Sequence, residues 1–114
     1  MHELGVVFSV IKQVEAISAE NAVQKVGKVV LELGEVSTVI PAYLADCWKW
    51  AVKRTQRMQE AELEIQTIKA VTCCEACGKE YPTVQHGKIC PYYGSEETYL
   101  LRGNEFIIKE IEVE

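Results

Sequence analysis

Residues 73–95 read CCEACGKEYPTVQHGKICPYYGS, and this stretch decides how the chain is organised. Cys74-x-x-Cys77 followed by Gly78 has the form of a metal-binding turn. In such a turn the chain curls around an ion, backbone N–H groups point at the thiolate sulfurs, and the glycine tolerates positive φ. Twelve residues, 78 to 89, lead to Cys90, an ordinary loop length for a zinc ribbon. The motif restarts there as Cys90-Pro91 and ends in Gly94-Ser95, but Tyr93 stands where a fourth cysteine is expected. A neutral phenol is a poor partner for Zn(II) beside three thiolates. Cys74, Cys77 and Cys90 are therefore the expected ligands of a structural Zn(II), with the fourth left open among Cys73, His86 and water, or a group from a second chain. Adjacent cysteines rarely both reach one ion without straining the turn, a lone loop histidine is usually only solvated, and water would leave the site more labile. Lys79 and Lys88 can moderate the charge of the thiolates.

Four of the five cysteines fall within residues 73–90, too dense for chance. A redox Cys-x-x-Cys would need a thioredoxin-like context, which the pattern around it does not offer. No signal segment or apolar run long enough to span a membrane is visible, so a cytoplasmic protein with reduced or metal-bound cysteines is expected. Cys47, on an apolar helical stripe, reads as a small buried hydrophobe.

The remaining chain has the composition of one soluble domain with a small satellite: 114 residues, 48% hydrophobic and 25% charged. A net charge of −5 argues against nucleic acid as a partner, because phosphate binding needs a clustered basic surface. The one basic cluster, Lys49, Lys53, Arg54 and Arg57, has the spacing of a solvated helix face. Leu4, Val7, Phe8, Ile11 and Val14 predict a helix ending near residue 20. Val29, Leu31 and Leu33 predict a buried strand closed by Gly34. Pro41 opens a second helix with Leu44, Cys47, Trp48 and Ala51 on its apolar stripe. AELEIQTI reads as a half-exposed strand, and Ile107, Lys109, Ile111 and Val113 alternate with Ile108, Glu110 and Glu112 in a final one.

The expected fold is α+β: a small three-stranded sheet with two helices, plus an inserted zinc-ribbon module. The domains would be 1–69 with 100–114, and 70–99. So small a module is expected to rely on metal for its own folding.

The chain begins Met1-His2-Glu3. A histidine at position 2 offers the Met1 α-amine, a backbone amide nitrogen and an imidazole in consecutive chelate rings. Nitrogen-rich tetragonal sets of this kind favour Ni(II) or Cu(II). Glu3 could add a backbone nitrogen or a supporting contact.

Met-His-Glu at the start, VVLELGEVS in the first strand, the Cys-x-x-Cys…Cys-Pro-x-x-Gly-Ser module and the closing GNEFIIKEIEVE together resemble the HypA/HybF family of hydrogenase nickel-incorporation proteins, in the same order over essentially the whole chain. The resemblance implies a nickel metallochaperone and not an enzyme, with nickel held at the N-terminus by His2. It implies structural zinc in two Cys-x-x-Cys pairs, which map onto Cys74, Cys77 and Cys90 with Tyr93 in the fourth place. It also implies a partner maturation GTPase of the HypB kind, the [NiFe]-hydrogenase large-subunit precursor as client, and urease maturation proteins as further candidates. A monomer or a dimer is compatible with it, and neither nucleic acid nor membrane is involved. The competing reading is a zinc-ribbon interaction module without nickel delivery. An enzyme ranks last: the sequence offers no Ser/His/Asp arrangement, Gly-rich phosphate loop or paired-carboxylate motif.

Overall fold

The computed structural model describes residues 3–114. The chain forms two compact units. One is built from the chain through Leu31 with Val39–Gln66 and Ile107–Glu114, and the other from Glu32–Thr38 with Thr67–Phe106.

The first unit opens with α1 (Glu3–Glu20). Its buried side chains Val7, Val10, Ile11 and Val14 recur at helical spacing. That burial outweighs the weak helix propensity of so many β-branched residues. The helix ends in a Schellman turn: Val23 N–H donates to Ser18 O (2.9 Å) and Ala22 N–H to Ala19 O (3.4 Å). Ala22 takes φ 56°, the left-handed position usually given to glycine.

The chain then enters β1 (Val26–Gly34), crosses through α2 (Pro41–Ala51) and a 3₁₀ turn (Val52–Arg54), and returns as β2 (Glu62–Ile68). Lys28 pairs with Glu64 at 2.8 Å, and further along Glu35 N–H donates to Ile68 O at 2.8 Å. Residue numbers rise together on the two strands, so they are parallel and need the helical crossover. The last strand, β6 (Phe106–Val113), lies on the other side of β1, giving the order β2-β1-β6. It is antiparallel to β1: Gly34 N–H donates to Glu105 O (2.8 Å), while beyond the opposite end Glu114 N–H donates to Lys25 O (3.0 Å). The central position of β1 explains why Val29, Val30 and Leu31 are all buried, instead of alternating.

Leu44, Trp48 and Ala51 of α2 complete this core with the valines of α1 and β1, and Cys47 packs against it partly buried. Trp48 Nε1–H donates to Ala61 O at 2.9 Å, so the buried indole has its partner. On β6 the residues that reach the core are Ile108 and Ile111. They are three apart, out of phase with the strict alternation expected from the sequence.

The basic cluster is not one helix face. The helix stops at Ala51, and Arg57 lies beyond the 3₁₀ turn. Its guanidinium donates to Glu15 Oε2 (2.7 Å) and to Val23 O (2.9 Å), while Arg54 stacks over the Trp50 ring at 4.0 Å.

The second unit carries its own antiparallel sheet, ordered β4-β3-β5, from β3 (Val71–Cys74), β4 (Glu80–Pro82) and β5 (Thr98–Arg102). A short helix, α3 (Thr83–His86), follows β4. Val71 pairs with Arg102 and Thr72 with Leu100, so Leu101 is an extra residue on β5. Residues 32–38 are tied into this unit. Val36 N–H donates to Gly103 O (2.8 Å), and the Glu35 carboxylate accepts from Ala70 N–H (2.9 Å). The sequence pattern gave no sign of this sheet, because its strands are three to five residues long, too short for alternation to register.

Candidate metal centre

The buried cluster of the second unit consists of Cys74, Tyr81 and Cys90, with Cys77 packed against it. Two turns build it, and they share one hydrogen-bond pattern. In the first, Cys74 N–H donates to Lys79 O (3.0 Å) and Gly78 N–H to Cys74 O (2.8 Å). In the second, Cys90 N–H donates to Ser95 O (3.0 Å) and Gly94 N–H to Cys90 O (2.8 Å). Gly78 and Gly94 close the turns at φ 73° and 76°, a conformation that an L side chain rarely adopts. A cysteine and a glycine four residues later are the only identities the two turns share, and these suffice to repeat the geometry.

The sulfurs of Cys74, Cys77 and Cys90 lie within 4.8 Å of one another, and Cys77 Sγ is 3.6 Å from Cys90 Sγ. Three convergent thiols, two of them fully buried, are a donor set suited to a thiophilic ion such as zinc. By the equivalence of the turns, the fourth corner falls to Tyr93, which is 68% exposed.

The other sequence candidates lie outside the cluster. Cys73 precedes Cys74 on a regular strand, so its side chain leaves the opposite face. It is paired across β5 with Tyr99. A hydrogen bond to Cys73 and the charge of its thiolate raise the pKa of the Tyr99 phenol above its usual value. His86 ends α3, exposed, with its ring edge-on to Tyr81 at 5.8 Å. Neither supplies an atom to the three-sulfur group. Met1 and His2 lie outside the described residues, as does the side chain of Glu3.

The environment discriminates among the thiols. Burial opposes ionisation of Cys90, but N–H groups of Tyr92 and Tyr93 directed at its sulfur, with the Cys77 and Cys74 thiols, outweigh it and lower its pKa. At Cys77 the Lys79 N–H favours the thiolate, yet burial and the bonds to Cys90 and Cys74 win and raise it. Lys79 does not contact the sulfurs through its ammonium, which sits over the Tyr92 ring at 4.8 Å. Tyr81, 2% exposed, passed unnoticed in the sequence. It fills the space beside the sulfurs and donates its hydroxyl to Gly87 O at 2.9 Å, pinning the loop between the two turns. A single aromatic in a polar loop carries no periodic signal.

In the first unit, a groove of about 800 Å³ runs along α2 and β2. Lys28, Lys49 and Lys53 face Glu60, Glu62 and Glu64 around it, without a net sign of charge. Among the described residues, no helix is long and apolar enough to cross a membrane.

An α+β chain whose second unit is organised around paired thiol turns falls in the class of small metal-handling proteins. The family model for hydrogenase/urease nickel incorporation metallochaperones, HypA, matches residues 1–113, and the chain belongs to that family. It is 35% identical over 114 residues to the hydrogenase maturation factor HypA of Chlorobium phaeobacteroides, covering all of both chains. To that of Trichodesmium erythraeum it is 36% identical over 115 residues, covering all of this chain and 96% of the other. The fold matches the solution structure of the Ni metallochaperone HypA from Helicobacter pylori with a TM-score of 0.72 at 24% identity, covering 99% and 97% of the two chains.

Proposed function

We propose that this chain is a nickel metallochaperone that helps insert Ni(II) into the large subunit of [NiFe]-hydrogenase, working in the cytoplasm with a maturation GTPase. The observation that carries this reading is the family match along residues 1–113, which includes the N-terminal Met-His-Glu as well as the cysteine module. In this reading His2 is the nickel ligand, with the Met1 amine and a nitrogen of the Met1–Glu3 segment completing a nitrogen-rich set. Deprotonated amide ligands make such binding weaken as pH falls. A chain terminus fixed by few groups suits a carrier, because its ligands can be exchanged one at a time with an incoming site.

In the second unit, Cys74, Cys77 and Cys90 would hold Zn(II), and the ion's part would be structural, joining the two turns and β3. The three thiols fit the ion in type and spacing.

Equilibrium dialysis with Ni(II) on untagged protein tests the reading. One Ni(II) per chain is expected, lost in His2→Ala and in protein extended before Met1. Equal binding by wild type and both variants would overturn the terminal site and favour a zinc-ribbon interaction module without nickel delivery.

A further inference from the structure

The geometry points to a metal site with three protein thiolates and a fourth coordination position open to a thiolate from outside the chain. This rests on the reading of the cysteine cluster as a zinc site. Three observations carry it.

First, the two turns are equivalent in their hydrogen bonds, so the position facing the ion from the second turn is set by backbone geometry, and Tyr93 occupies it. Tyr93 is 68% exposed and no part of the three-sulfur group. Second, no substitute lies at hand among the described residues. Cys73 is directed to the opposite face of β3, across from Tyr99, and bringing it round would reverse the strand alternation at Cys73–Cys74 and break pairing with Tyr99 and Glu80. His86 is held at the end of α3 against Tyr81, outside the group of converging ligand atoms. Third, the corner is accessible. Tyr92 and Tyr93 are both more than half exposed, whereas Cys74 and Cys90 are buried beneath the turns.

Zinc with three protein ligands keeps water in its fourth position. With three sulfurs already bound, the incoming donor of matching softness is a thiol, which loses its proton to solvent and, as the thiolate, displaces the water. The site can then accept one cysteine of a partner protein, or a small thiol, without any change in the fold of the unit.

Zinc-edge X-ray absorption on full-length untagged protein, purified without thiols, tests this. Three sulfurs and one oxygen are expected, rising to four sulfurs when 2-mercaptoethanol is added, with the Tyr93→Phe spectrum unchanged. Tyr93→Cys should show four sulfurs without added thiol and hold zinc on the order of tenfold or more tighter in chelator competition. Four sulfurs in the wild type that fall to three in Cys73→Ser, or imidazole scattering lost in His86→Ala, would overturn the open position and leave the zinc reading intact. So would a bound oxygen that added thiol fails to displace. Protein that neither contains nor takes up zinc would overturn the zinc reading itself, and the open position with it.

Discussion

With Zn(II) held by Cys74, Cys77 and Cys90 as proposed, removing it should unfold the second unit and spare the first. The buried cluster of the second unit contains one large side chain, Tyr81, beside three cysteines. Burying a single large side chain stabilises by roughly 3 kcal/mol. Structural zinc in small modules is worth about 10–16 kcal/mol, and with three thiolates of four an estimate of about 7–12 kcal/mol follows. The proposed metal would therefore outweigh the buried ring at least about twofold. The first unit has a core of thirteen buried residues drawn from both helices, β1 and the connection to β2. Hydrogen exchange before and after zinc is stripped, with metal analysis to confirm removal, reads the two units separately. Every 1.4 kcal/mol of lost opening energy is a factor of ten, so amides of Thr72, Cys74 and Tyr81 should lose protection by on the order of 10³ or more. Those of Val10, Ile11, Val30 and Leu31 should keep most of theirs. Unchanged protection at Thr72–Cys74 in zinc-free protein would refute the idea that the cysteine cluster holds this unit together.

Three further outcomes are expected from the first unit. Ala22→Gly should stabilise by about 0.5–1 kcal/mol in urea titration, because the left-handed strain on alanine is relieved and only part is returned as unfolded-state entropy. Destabilisation would mean that the helix does not end as described. Arg57→Ala should cost about 2–3 kcal/mol, since Arg57 donates to both Glu15 and Val23 O and its loss leaves a partly buried carboxylate unpaired. A loss below about 0.5 kcal/mol would assign that contact to the solvated surface. Hydrogen bonds from Lys25 to Glu60 and from Lys28 to Glu64 hold both carboxylates below their ordinary 4.5 and raise both lysines above 10.5. The carboxylates' contribution is then present above pH 4.5 and lost as pH falls through the lowered values, while the lysines' is present below 10.5 and lost as pH rises through the raised ones. These side chains are half-buried to exposed, so the effect should be small and weaken in high salt. Stability curves of wild type and Lys28→Met that coincide on the acid side at low salt would refute it.

Much of this protein is local, and the sequence alone determines it. The apolar spacing of residues 7–14 specifies α1, Pro41 starts α2, and the valine-rich run specifies a buried β1, because each pattern is a property of contiguous residues. The first turn of the cysteine module is equally legible, since Cys74, Cys77 and Gly78 lie within five positions and the geometry needs nothing else. The family is legible for the same reason, from short motifs kept in order.

What the tertiary structure decided is non-local. Which residues of β6 meet the core depends on packing against β1, which selected Ile108 and Ile111 over a strict alternation. Arg57 left the expected basic face because Glu15, forty-two residues away, sits within reach only after folding. Residues 32–38 belong with the cysteine unit because Gly103 and Ala70 complete their hydrogen bonds, which no local pattern announces. The sequence left Cys73, His86, water and a group from a second chain open as companions to the three thiols. Strand alternation directs Cys73 away from Cys74, and α3 holds His86 against Tyr81, because a side chain's direction follows from the pairing of its strand and the placement of its helix.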